Sequence, residues 1–274
     1  MKFAAKLKRA IKVSKSLVCV GLDPDPSKIP QSVLQAENPV FEFASRIIAA
    51  TAPYACAYKL NFAFFESLGG EGWKTLREVL GVIPPHAVTI ADAKRGDIGN
   101  SADKYAAAIL DDLHFDAVTV NAYMGRDCVA PFIARPEFGA FILALTSNAG
   151  SKDFQYLKAG AKPLFMHVVA KAREWNVHEN CGLVVGATHP EELRRIRKAA
   201  PDMPLLIPGV GAQGGDLESV VRYGCDAAGS MAIINASRSI IYASKGDDFA
   251  EAAGAETARM RAEINAMRKK IFKR

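Results

Sequence analysis

The chain of 274 residues contains no Cys-x-x-Cys pair, and its five cysteines are an odd number. A secreted disulfide scaffold would show paired cysteines, so this usage suits a reducing compartment. Cys19, Cys56 and Cys181 fall inside apolar, strand-like runs and read as buried thiols. No stretch approaches the roughly 20 apolar residues of a membrane span. Lysines interrupt the N-terminus every few residues, and no apolar signal core follows. Aromatic residues are scarce where a nucleic-acid surface would need them. The basic ends, with Lys2, Lys6, Lys8, Arg9, Lys12 and Lys15 and then Arg268, Lys269, Lys270, Lys273 and Arg274, offer little beyond Phe3 and Phe272. These observations predict a cytoplasmic protein with neither a membrane nor a nucleic acid as partner. The net charge of +6 sits largely at those ends, where it solvates terminal helices or draws in a small anion.

Half of the residues are hydrophobic, which excludes a disordered chain. Phe3, Leu7, Ala10 and Ile11 repeat at helical spacing and predict an opening helix over residues 2–14. Apolar strand-like runs then follow at Ser16–Leu22, Ala55–Leu60, Ala87–Ala91, Ala117–Val120, Phe141–Leu145, Gly182–Val185, Pro204–Ile207 and Ala227–Met231. Helical patterns separate them at Pro39–Thr51, Gly72–Val82, Asn100–Asp112, up to about Ile133, Pro163–Trp175, Pro190–Ala200 and Asp216–Tyr223. A longer polar segment, Ala149–Lys162, follows the fifth strand, and a long helix begins at Phe249. Eight strand–helix alternations in one run of this length, with no linker or low-complexity stretch, predict an α/β fold: a (β/α)8 TIM barrel over residues 1–274 as a single domain, with an extra N-terminal helix. An open doubly wound sheet is the alternative.

Asp23, Lys59, Asp92, Lys94, Asn121, Ser147 and Gln213 all fall at or just after strand ends. In a barrel those ends share one face, where active sites are built. Burying such groups unpaired is costly, so they are expected to pair around a ligand. The densest stretch is Asp92-Ala93-Lys94-Arg95-Gly96-Asp97. Side chains alternate along a strand, so Asp92 and Lys94 point the same way. Asp97 lies past the strand, and the two carboxylates bracket one ammonium, whose charged form they favour. That spacing fits a solvated ion-pair cluster as well as a proton donor for a carbanion.

Pro208–Gly215 is glycine-rich and lies between the seventh strand and its helix. Such loops let backbone N–H groups approach a phosphate, and barrels place phosphate sites after strands seven and eight. Arg238, after the eighth strand, could fork onto phosphate oxygens. The spacing Gly209-x-Gly211-x-x-Gly214 is no dinucleotide fingerprint, because no ribose-reading acid follows at the usual distance.

Taken together, Asp23, Lys59-x-Asn61, Asp92-x-Lys94-x-x-Asp97, Thr146-Ser147-Asn148, Pro208-Gly209-Val210-Gly211 with Gln213, and Arg238 resemble the orotidine 5′-phosphate decarboxylase family over nearly the whole chain, in its longer bacterial subgroup. The resemblance implies decarboxylation of orotidine 5′-monophosphate to uridine 5′-monophosphate in pyrimidine biosynthesis, with no metal or organic cofactor. It implies that Lys94 protonates C6 of the pyrimidine and that Asp92 lies near the departing carboxylate. Lys59 would contact the ribose and hold Asp92. Asp97, with Ser101, would enter the site of the other subunit of a homodimer. Asp23 is expected at the ribose hydroxyls and Ser147 at the pyrimidine. Asn61 belongs to the same substrate-binding set. Pro208, Gly209, Gln213, Ser237 and Arg238 are expected around the phosphate. Ser237 departs from the glycine that often precedes this arginine in the family, though its backbone N–H remains. A sister group with the same barrel acts on sugar phosphates with Mg²⁺ and carries a glutamate where this chain has Lys59. A cation there would repel Mg²⁺, which prefers carboxylate oxygens.

Overall fold

The computed structural model describes residues 1–210 and 216–272. Its strands are β1 (Val18–Leu22), β2 (Ala57–Asn61), β3 (Val88–Arg95), β4 (Ala117–Val120), β5 (Gly139–Leu145), β6 (Cys181–Val185), β7 (Leu205–Pro208) and β8 (Ala232–Ala236). Each pairs in parallel with the next, and β8 returns to β1, so the sheet closes into a barrel. The alternative of an open sheet is thereby set aside. The sequences explain the closure. Every residue of β1, β6 and β8 is buried, as expected of parallel strands with side chains inside and helices outside. All five cysteines are buried free thiols.

The helix Pro39–Thr51 has the predicted bounds because its start is well signalled: proline opens it, and Asn38 Oδ1 accepts from the Phe41 N–H at 3.1 Å. The helix Phe3–Ser14 buries Phe3, Leu7, Ala10 and Ile11, the predicted stripe. It lies across the N-terminal ends of β3, β4 and β5. Phe3 meets Phe141 edge-on at 6.0 Å between centroids. Gly139 leaves room for that ring, since a Cβ there would sit 2.6 Å from it. Lys6 pairs with Asp116, whose other oxygen accepts from the Thr89 N–H and hydroxyl. This helix closes the lower mouth of the barrel. The helix Phe249–Phe272 packs on the helix Pro39–Thr51 along the outside. Among the described residues no helix is long and apolar enough to cross a membrane.

Three expectations need correction. The eighth strand was expected at Ala227–Met231 and runs over Ala232–Ala236. Asp226 claims the earlier stretch for a turn: its Oδ1 accepts from the Ala228 and Ser230 N–H groups, and Gly229 sits at φ 65°. Asn235 and Ala236 therefore belong to the strand. The third strand does not end at Ala91 but continues to Arg95, and its register with β4 shifts between Ala91 and Arg95. The helix expected over Asn100–Asp112 is α-helical at Gly99–Ala106 and closes in a π-helical turn, Ala107–Asp112. The polar segment after β5 holds a short helix, Ser151–Phe154, and a two-stranded ribbon of Lys158–Ala159 with Lys162–Pro163.

Candidate active site

The C-terminal ends of the strands surround a cavity of ≈ 350 Å³. Lys59 enters from β2 and is only 4% exposed. Its Nζ lies 2.7 Å from Asp92 Oδ2 and 3.8 Å from Asp23 Oδ1. Lys94 Nζ, exposed to the cavity, donates to Asp92 Oδ1 at 2.7 Å. Two ammoniums thus bracket one carboxylate, the reverse of the bracketing expected from sequence. Burial disfavours the charge on Asp92, but Lys59 and Lys94 outweigh it and hold the carboxyl well below the usual carboxylate range. Burial likewise opposes the charge on Lys59, and the Asp92 and Asp23 carboxylates overcome it, raising its pKa above the ordinary lysine value. Asp92 and the two ammoniums thus satisfy one another in a fixed geometry, while Asp23 Oδ1 stays beyond hydrogen-bond reach of Lys59.

Asp23 follows β1. Its Oδ2 accepts from Ser237 Oγ at 2.6 Å, while its buried Oδ1 has no hydrogen-bond donor among the described residues. Gly21 makes this approach possible, because a Cβ there would lie 2.8 Å from that of Ser237. Ser147, after β5, lines the cavity with a buried hydroxyl that has no partner among the described residues. It fits only because Gly186 faces it: a Cβ at Gly186 would stand 2.1 Å from Ser147 Oγ. Pro208, Gly209, Ser237 and Arg238 line the side of the cavity formed by β7 and β8. Gly209 takes φ 98°, a conformation open to glycine. Gln213 lies outside the described residues. Asn61 also lines the cavity, though its Oδ1 accepts from the Ala63 N–H at 3.3 Å and caps the helix Phe62–Glu66.

Some expected residues are elsewhere. Asn121 turns to the surface, where its Oδ1 accepts from the Tyr123 N–H, and it does not line the cavity. Asp97 accepts from the Ile98 N–H and, with Ser101, lines a separate surface depression beside Lys104 and Tyr105. Within one chain neither reaches Lys94.

The match to known proteins fits this arrangement. The family model described as "Orotidine 5'-phosphate decarboxylase / HUMPS family" matches residues 16–253. The chain belongs to that family. It is 52% identical over 275 residues to the orotidine 5'-phosphate decarboxylase of Dehalococcoides mccartyi, spanning 99% of this chain and 100% of that one. It is 45% identical to the Azoarcus enzyme of the same name, over 98% of this chain and 100% of the other. Among solved structures, Leishmania donovani OMP decarboxylase superposes with a TM-score of 0.86 at 39% identity, covering 98% and 99% of the two chains.

Two buried polar residues of the cavity of this decarboxylase-family barrel, Thr119 and Asn235, are not legible in the sequence. Thr119, in β4, is 1% exposed and donates from Oγ1 to Asp92 Oδ1 at 3.0 Å. Its only signal is a hydroxyl in the otherwise apolar Ala-Val-Thr-Val run, which β-branching explains equally well. Asn235 is 5% exposed, and its buried Oδ1 has no partner among the described residues. The Asp226 turn moves β8 to Ala232–Ala236 and so brings Asn235 into the strand, which the apolar pattern alone does not show.

Proposed function

We propose that this chain removes CO₂ from orotidine 5′-monophosphate to give uridine 5′-monophosphate, a step of pyrimidine biosynthesis, and that the cavity above the barrel is where it does so. The observation that carries the reading is the Asp92 carboxylate held between Lys59 and Lys94, on strands that face the phosphate-side residues Gly209 and Arg238 across the barrel. A volume of ≈ 350 Å³ suits a small-molecule site.

In this reading the bond from C6 to the carboxylate breaks and leaves its electron pair on C6, while CO₂ departs. The Lys94 ammonium stabilises that carbanion and gives it a proton, forming the C6–H bond. The amine then regains a proton from solvent. Asp92 sits beside the substrate carboxylate and, with Lys59, fixes where the ammonium stands. Lys59 and Asp23 take the ribose, with Asn61 at its edge, and Ser147 takes the pyrimidine. Pro208, Gly209, Gln213, the Ser237 backbone and Arg238 take the phosphate. That group is remote from C6, so its binding energy can offset the cost of bringing two anions together.

The whole chain acts as one barrel domain in the cytoplasm, as a homodimer with shared sites. The partner's Asp97 and the partner's Ser101 complete each cavity. Supporting this, the loops that carry or neighbour them expose apolar side chains: Ile98 is 55% exposed and Tyr123 80%. The reaction needs no metal, and Lys59 stands where a metal-dependent relative would need a carboxylate. The test is ultraviolet absorbance with orotidine 5′-monophosphate, with and without EDTA. Turnover indifferent to EDTA is expected. No turnover refutes the reading, and loss on EDTA restored by Mg²⁺ moves the chain to the sugar-phosphate branch.

A further inference from the structure

We propose that Thr119 is a positioning residue for this decarboxylation, its hydroxyl locking the Asp92 carboxylate and the Lys94 backbone into the arrangement that presents the Lys94 ammonium to the cavity. The inference rests on the roles assigned above to Asp92 and Lys94. Lys94 adopts φ 46°, left-handed, a conformation unfavourable for a residue with a Cβ. It does so where the register of β3 with β4 shifts, between Ala91 and Arg95. The Lys94 N–H therefore needs a partner other than the ladder, since a buried donor left alone is costly. Thr119 Oγ1 supplies it, accepting at 2.9 Å. Having accepted there, the hydroxyl turns its own proton to Asp92 Oδ1 at 3.0 Å, the oxygen that also receives Lys94 Nζ at 2.7 Å.

One hydroxyl thus ties together both ends of the Lys94 geometry: its backbone directly and its ammonium through a shared carboxylate oxygen. Asp92 Oδ2 is held by Lys59 at 2.7 Å, so Thr119 and Lys59 together prevent the carboxylate from rotating. This constraint is needed most when a substrate carboxylate arrives beside Asp92 and repels it. At 1% exposure, bulk water does not reach Thr119 to replace the hydroxyl. A purely structural threonine, kept for its β-branched shape, would be replaced by valine without consequence.

The experiment compares Thr119→Val, which keeps the shape, with Thr119→Ser, which keeps the hydroxyl. Losing a hydrogen bond to a charged group predicts that Thr119→Val lowers kcat about 10- to 100-fold. KM for orotidine 5′-monophosphate and Kd for uridine 5′-monophosphate should stay within about threefold, because ribose and phosphate contacts are untouched. Thr119→Ser should recover kcat to within about threefold of wild type. A folded Thr119→Val protein with kcat within about twofold of wild type overturns the proposal, as does a serine variant as slow as the valine one. A loss appearing equally in Kd for the product also overturns it. Should the valine variant not fold, Thr119→Cys, of similar size and a weak donor, must show the same loss, and retained kcat there overturns the proposal too. Wild-type turnover in the same assay tests the decarboxylase reading by itself, while the ratio of variant to wild type tests Thr119.

Discussion

Replacing Gly186 by alanine puts a methyl group where Ser147 now sits. The new Cβ would lie 2.1 Å from Ser147 Oγ, 3.1 Å from its N and 3.2 Å from its Cβ. Packed carbon atoms keep about 3.5 Å from their neighbours, so the Ser147 hydroxyl must retreat by about 1 Å. Gly186 is not among the glycines at positive φ, so the substitution adds a contact without adding backbone strain. Overpacking of this kind costs about 1–3 kcal/mol, and each kcal/mol lowers Tm by roughly 2–4 °C in chains of about this size. A misplacement near 1 Å at a substrate contact costs about 100-fold in kcat/KM. Gly186→Ala is therefore expected to fold, melt a few degrees early and lose about two powers of ten in decarboxylation. The double variant Ser147→Ala with Gly186→Ala removes the closest contact and should regain more than half of the lost Tm, a non-additivity expected of touching residues. Calorimetry and a steady-state absorbance assay measure both. If Gly186→Ala keeps wild-type Tm and kcat/KM, the packing of Ser147 against Gly186 constrains neither the fold nor the reaction.

Lys94→Ala should abolish turnover while uridine 5′-monophosphate still binds with near wild-type affinity, and a variant that retains kcat would remove Lys94 as the acid. Homodimers of Lys94→Ala and of Asp97→Ala should both be nearly inactive. Co-refolding the two at equal concentration should restore about 25% of wild-type activity, because half of the dimers are mixed and each mixed dimer has one intact site. A mixture as inactive as its parents, with wild-type controls recovering, would place Asp97 in its own chain's chemistry or outside it. The lowered pKa of Asp92 adds a pH signature. Its contribution to stability is complete above the unfolded carboxyl value of about 3.9 and is lost as pH falls through the depressed folded value. The urea-midpoint gap between wild type and Asp92→Asn should thus be wide at pH 7 and narrow toward pH 3; a gap that widens on acidification contradicts the linkage.

The barrel was legible because its strands are apolar on both faces, a pattern that survives errors of a residue or two at each end. Lys59, Asp92 and Lys94 were legible for a related reason: charges embedded in such strands must find partners. The same rule failed for Asn121, which follows β4 as Ser147 follows β5, because position after a strand does not fix which way a loop side chain turns. Thr119 was hidden by its own strand propensity, and Asn235 by the Asp226 turn that displaced β8. The two-lysine bracketing of Asp92 was beyond reach, since Lys59 approaches from a strand 33 residues away in sequence. Asp97 looked close to Lys94 in sequence, yet the loop carries it to another depression.

The helix that closes the lower mouth of the barrel has a consequence for the order of assembly. Lys6 and Asp116 are 110 residues apart, so the helix Phe3–Ser14 must wait for β4 and β5 before it has a seat. At a synthesis rate of about 5–20 residues per second, that wait is on the order of 5–20 s. In the whole chain the same long separation makes this contact costly to close early, so it is expected to form after the folding transition state. Phe3→Ala should then leave the refolding rate nearly unchanged and accelerate unfolding, so that the plug sets the lifetime of the native barrel more than the speed of reaching it. Stopped-flow refolding slowed in proportion to the lost stability would instead make this helix part of the nucleus.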